Sequence, residues 1–89
     1  MDLNTLRSEI DSIDGTIVSL LNKRLKIALQ IGALKTEQNL PVYNEAREQE
    51  VLKSIEQRNT GPLEDNQIRQ IFQTIMAVCR NAQNQPGKD

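Results

Sequence analysis

Taking every seventh residue from Leu3 gives Leu3, Ile10, Ile17, Arg24 and Ile31, and taking every seventh from Leu6 gives Leu6, Ile13, Leu20, Ile27 and Leu34. Arg24 is the one polar residue among them. An apolar seam kept up over this many heptads predicts a single helix from Asp2 to about Asn39 that packs lengthwise along another helix. The exception matters as much as the rule. A guanidinium buried in such a seam is costly unless an anion meets it, although a lone polar residue there can also serve only to fix the register of a helical pair.

Asp2 or Asn4 can cap this helix, and Gly15 and Gly32 are the weak helix formers inside it. Nothing interrupts it before Asn39-Leu40-Pro41. Roughly 36 residues rising ~1.5 Å each make a rod of ~54 Å. A compact monomer of this length has a radius of gyration near ~12 Å and a diameter of ~31 Å. Either the helix breaks at one of its glycines or a second chain covers the overhang, and the continuous seam favours a homodimer.

Pro41-Val42-Tyr43-Asn44 forms a short connection, because proline cannot continue a helix and restrains Leu40 before it. Asn44 then caps a second helix, with Glu45 at its positive end and Val51, Leu52 and Ile55 as its apolar face. Arg47 and Glu48 stand four residues ahead of Val51 and Leu52 and point to that same side. Asn59-Thr60-Gly61-Pro62 turns the chain. Asp65 is the expected cap of a third helix with a buried stripe of Ile68, Ile71, Phe72, Ile75 and Cys79, and four residues further that stripe reaches Gln83. The fold class is all-α, with one very long helix and two shorter ones. Residues 1–83 form the helical domain, and NQPGKD at 84–89 reads as a polar tail or the start of a linker.

Composition narrows the chemistry. Eighty-nine residues with a net charge of −1 make a single domain without the basic excess that nucleic acid attracts. No apolar run approaches the ~20 residues of a membrane span, and MDLNTLRSEID carries acids where a signal peptide is basic and then apolar. A cytoplasmic location follows, with neither membrane nor nucleic acid as partner. Cys79 is the only cysteine and histidine is absent, which removes an internal disulfide, the usual general base and the commonest metal ligand. No metal or cofactor is expected. Tyr43 and Phe72, the only aromatic residues, give no platform for stacking bases.

What remains is a set of inward polar groups. Arg24 and Lys35 are eleven residues apart, on one face of the long helix and ~16 Å apart along it, so their long side chains can converge on a small ligand. Arg7 is seventeen residues from Arg24, ~25 Å along the rod, too far to serve that site in one chain. In an antiparallel dimer it can reach the partner's. Arg7, Arg24, Lys35 and Arg47, with Glu48 and Gln83 as hydrogen-bonding complement, suit a small polyanion. Each has a blander alternative: Arg7 and Lys35 as solvated side chains, Arg47 and Glu48 as first-turn residues in water, Gln83 as an end amide, and Cys79 as a small core residue.

The segments LRSEIDSIDGTIVSLLNKRLKIALQIGALK, PVYNEAREQEVL and IFQTIMAVCRNAQ resemble the all-helical class of chorismate mutases, in the arrangement L-R-x-x-I-D-x-I-D, L-L-x-x-R, I-G-x-x-K, P-V-x-x-x-x-R-E and a terminal helical Q. Five pieces in order, from Leu6 to Gln83, cover nearly the whole chain. The resemblance implies an intertwined homodimer of three-helix chains with two identical sites, each completed by an arginine of the partner. Carried over, Arg7 is that arginine and binds the two carboxylates of chorismate together with Arg24. Lys35 and Gln83 hydrogen-bond the ether oxygen of the breaking bond, and Arg47 and Glu48 shape the site and hold the substrate hydroxyl. Two positions depart from the family pattern. Asn44 stands where an aspartate is often found, and Cys79 stands where a serine can contact a carboxylate.

The implied reaction, chorismate to prephenate, is an intramolecular [3,3] rearrangement. It needs no base, nucleophile, metal or cofactor, which suits a chain without histidine. A related pericyclic lyase acting on isochorismate and a non-catalytic helical dimerisation or regulatory module stay open as alternatives.

Overall fold

The computed structural model describes residues 2–84 and forms three helices from them, α1 (Leu3–Glu37), α2 (Glu45–Arg58) and α3 (Asp65–Gln83). The polar segment expected beyond Asn84 lies outside the described residues. α1 runs unbroken through both glycines. Asp2 is its cap, accepting the Thr5 backbone N–H at 2.8 Å. That bond holds the Asp2 carboxyl below its ordinary range, so its contribution to the helix is in place at neutral pH and is lost as acid protonates it. At the other end Asn39 adopts φ 58°, and Leu40 N and Asn39 N donate to Lys35 O at 2.7 Å and Thr36 O at 3.1 Å. This is a Schellman closure with asparagine in the left-handed position that glycine usually takes. The chain leaves α1 there, before the proline could have forced it.

Asn44 caps α2 as expected, its Oδ1 accepting Arg47 N–H at 3.0 Å. The cap of α3 differs from the sequence expectation: it is Glu64, and Asp65 is the first helical residue. Gln67 Oε1 accepts the Glu64 N–H at 3.0 Å, one half of a capping box, while the Asp65 carboxylate is drawn aside by Asn59 Nδ2 at 3.0 Å.

α3 packs against both α1 and α2, whereas α1 and α2 do not approach one another. The buried side chains are Ala28, Leu52, Met76 and Cys79. Met76 takes the place expected for Ile71, which is 46% exposed. Lying between two helices, α3 buries the arc that faces both of them, and that arc runs through Phe72, Met76 and Cys79 at helical spacing. Ile71 falls with Val78 on an apolar row outside it. Leu52 is the most enclosed residue at 2% exposure, and Leu52→Ala should cost about 2–5 kcal/mol of stability, measurable as a lowered midpoint in chemical denaturation.

The nine apolar seam residues of α1 are all between 42% and 59% exposed. The chain measures 55 × 32 × 14 Å with a radius of gyration of 16.2 Å, against ~12 Å for a compact chain of this length. Its accessible surface of 7226 Å² exceeds the ~5,300 Å² of a compact monomer of this mass. A single chain thus leaves its longest apolar stripe in solvent.

Candidate active site

Because α1 and α2 lean on α3 without touching each other, a gap stays open between them with α3 as its floor. It is a cavity of about 280 Å³. Seven of the eight residues selected from the sequence line it: Arg24 and Lys35 from α1, Asn44, Arg47 and Glu48 from the start of α2, and Cys79 and Gln83 from α3. Arg7 is exposed on the far part of α1 and is not among the lining residues. The remaining wall is largely apolar, from Ile27, Ala28, Ile31, Val42, Val51 and Met76.

Each polar group is held by a neighbour. Arg24 Nη1 donates to the buried Cys79 Sγ at 3.3 Å, so the thiol orients the guanidinium. Lys35 Nζ donates to Val42 O at 3.0 Å, which ties it to the connection between α1 and α2. Gln83 Nε2 donates to Ala28 O at 2.6 Å across the α1–α3 contact, which fixes the amide at the cavity wall. Asn44 has its Oδ1 occupied by capping.

Gly32 is what lets Gln83 come so close. A Cβ at that position would meet Gln83 Cγ at 3.0 Å and Cβ at 3.2 Å. The neighbour is a flexible side chain, and alanine gains ~0.8–1.0 kcal/mol of helix propensity over glycine. Gly32→Ala is therefore expected to keep its stability in a thermal melt while turnover falls, because Gln83 is pushed off its bond to Ala28.

Two features were not read from the sequence. Arg47 does line the cavity, but its guanidinium turns outward to Glu50 at 3.5 Å, and both side chains are more than two-thirds exposed. Glu48 points inward, as its spacing from Leu52 implied, and is met by Arg80. Arg80 escapes a stripe count because it follows Cys79 directly; counted four residues on from Met76 and three before Gln83, it shares their face of α3.

Of the cations around the cavity, Arg80 is paired with Glu48, and Arg47 is screened by water beside Glu50. Arg24 and Lys35 have no carboxylate partner among the described residues. Two uncompensated, part-buried cations call for an anion, and the apolar wall between them suits a carbon skeleton. No cluster of three metal-ligating side chains occurs among the described residues, and none of their helices is long and apolar enough to cross a membrane. The arrangement can bind, orient and electrostatically stabilise a small polyanion.

The family model for chorismate mutase type II matches residues 6–84. The chain belongs to the type II chorismate mutase family. It is 37% identical over 82 residues to the bifunctional chorismate mutase/prephenate dehydratase of Aquifex aeolicus, an alignment that covers 88% of this chain and 23% of that protein. The corresponding protein of Pseudomonas aeruginosa is 38% identical over 82 residues, with 86% and 22% covered. The chain thus spans less than a quarter of the length of these curated relatives. Chorismate mutase (form II) from Thermus thermophilus superimposes with a TM-score of 0.93 at 33% identity, covering 94% of this chain and 96% of that one. Chorismate mutase from Helicobacter pylori in complex with prephenate superimposes with a TM-score of 0.84 at 38% identity, covering 92% and 89%. Both likenesses extend over nearly all of this chorismate mutase domain.

Proposed function

We propose that the chain is a cytoplasmic, cofactor-independent isomerase that converts chorismate to prephenate, working as an intertwined homodimer in which Arg7 of the partner subunit completes each site. The observation that carries the reading is the convergence of Arg24, Lys35, Glu48 and Gln83 from three helices on one cavity in a chain of this family. The solved neighbour from H. pylori holds prephenate, the product this reaction would form. Arg24 and the partner's Arg7 clamp the two substrate carboxylates, which selects the compact conformer in which the reacting carbons meet. As the C–O bond breaks, negative charge grows on the ether oxygen. Lys35 and Gln83, already fixed by Val42 O and Ala28 O, meet that charge without reorganising and so favour the transition state over the ground state. Glu48 holds the hydroxyl end, and Arg47 beside it at the start of α2 shapes the cavity wall.

The dimer is supported by the uncovered seam of α1 and by the ~25 Å that separates Arg7 from Arg24 along one helix. Incubating purified protein with chorismate and following its ultraviolet absorbance should show loss well above the uncatalysed rate, with prephenate as product. No loss at micromolar protein would overturn the reading. Light scattering should give about twice the chain mass of 10.1 kDa.

A further inference from the structure

We propose that Arg80 positions Glu48 for the substrate hydroxyl. The inference rests on the mutase reading above. Arg80 Nη1 lies 2.6 Å from Glu48 Oε2, and the two side chains are only 30% and 24% exposed. A short, charge-assisted and part-buried bond of this kind holds its partners far better than the water-screened Arg47–Glu50 pair at 3.5 Å. The guanidinium also lies over the Tyr43 ring, 4.9 Å from its centroid, a cation–π contact. Tyr43 directly precedes the α2 cap Asn44, and Glu48 lies in the first turn of α2. Arg80 therefore reaches from α3 and pins the start of α2 at two points.

The pinning leaves Glu48 half used. Oε2 is committed to Arg80, while Oε1 accepts no hydrogen bond from the described residues. A carboxylate with one oxygen fixed and the other open is an oriented acceptor for a hydroxyl. Arg80 also protects the charge balance of the cavity. Arg24, Lys35, Arg47 and Arg80 against Glu48 give the lining side chains a net charge of +3. Without Arg80, Glu48 would be an unpaired anion beside a dianionic substrate, and it would draw on the cations of the same wall that must bind that substrate.

The test is a double-mutant cycle read by steady-state kinetics on chorismate, with wild type, Arg80→Met, Glu48→Gln and the double variant. Arg80→Met should lower kcat about ten- to a hundredfold, the range for losing a hydrogen bond to a charged group. Arg80→Lys, which keeps the charge, should restore most of it. In the Glu48→Gln background the same Arg80→Met change should cost less than about threefold, because the carboxylate it serves is gone. Should Arg80→Met fail to fold, as judged by circular dichroism, Arg80→Gln takes its place in the cycle. An Arg80 effect of equal size with and without Glu48 overturns the proposal, as does finding the coupling to Glu48 at Arg47 instead. An inactive wild type would instead reject the mutase reading itself, so the two failures are distinct.

Discussion

Lys35→Ala is expected to lower kcat on chorismate about 10²- to 10³-fold, the loss typical of removing one preorganised oxyanion donor, with a smaller change in KM. Lys35 lies in the last turn of α1, where the Schellman closure begins. Its ammonium is set by Val42 O at 3.0 Å and has no carboxylate partner among the described residues. A fixed and uncompensated charge beside the cavity is worth most where charge develops, at the ether oxygen, and less in the ground state, where that oxygen is nearly neutral. Steady-state kinetics separates the two parameters, and circular dichroism checks that losing the tie to Val42 has not unravelled the connection. A fall of less than tenfold would mean that Lys35 is not the principal donor.

The second large effect concerns ownership of the site. Arg7→Ala and Arg24→Ala homodimers should each be nearly inactive, yet equal amounts mixed and allowed to exchange should recover about a quarter of wild-type activity. Random pairing makes half of the dimers mixed, and in each of those one of the two sites regains both arginines. The reason is geometric. α1 is straight enough to span most of the 55 Å length of the chain, so Arg7 cannot fold back on its own cavity, and the apolar residues around it stand open to a partner. Absence of recovery after exchange has been demonstrated by mass would assign Arg7 to its own chain or to no site.

Much of the candidate site was legible because helices make it so. Arg24, Lys35, Glu48, Cys79 and Gln83 reveal themselves by standing at core spacing while being polar or reactive, and the structure brings them to one cavity. Asn44 announced its capping role by following a proline connection and preceding an acidic turn. The readings that shifted lie at helix ends and at partner choice. Asp65 gave way as cap to Glu64, since the cap depends on where Asn59 and Gln67 reach. Ile71 gave way to Met76, since the arc of α3 that faces α1 and α2 runs through Phe72, Met76 and Cys79 and leaves Ile71 on the row outside it. Glu48 finds its partner in Arg80 at 2.6 Å, whereas Arg47, which also lines the cavity, pairs outward with Glu50. That choice depends on side chains 32 residues apart in sequence, beyond any periodicity.

By itself, the sequence determined three helices, their order, an uninterrupted α1 and the face of each that carries charge, because 3.6-residue periodicity, prolines and capping residues act within one or two turns of the chain. Only the tertiary structure decided that α1 and α2 both rest on α3 without meeting, and hence that a cavity exists. It also decided that Gly32 admits Gln83 to the Ala28 carbonyl, that Cys79 aims Arg24, and that Arg80 secures Glu48. Those contacts depend on the distances between helix axes and on which side chains face one another across them. Packing sets both, and local propensity does not encode either.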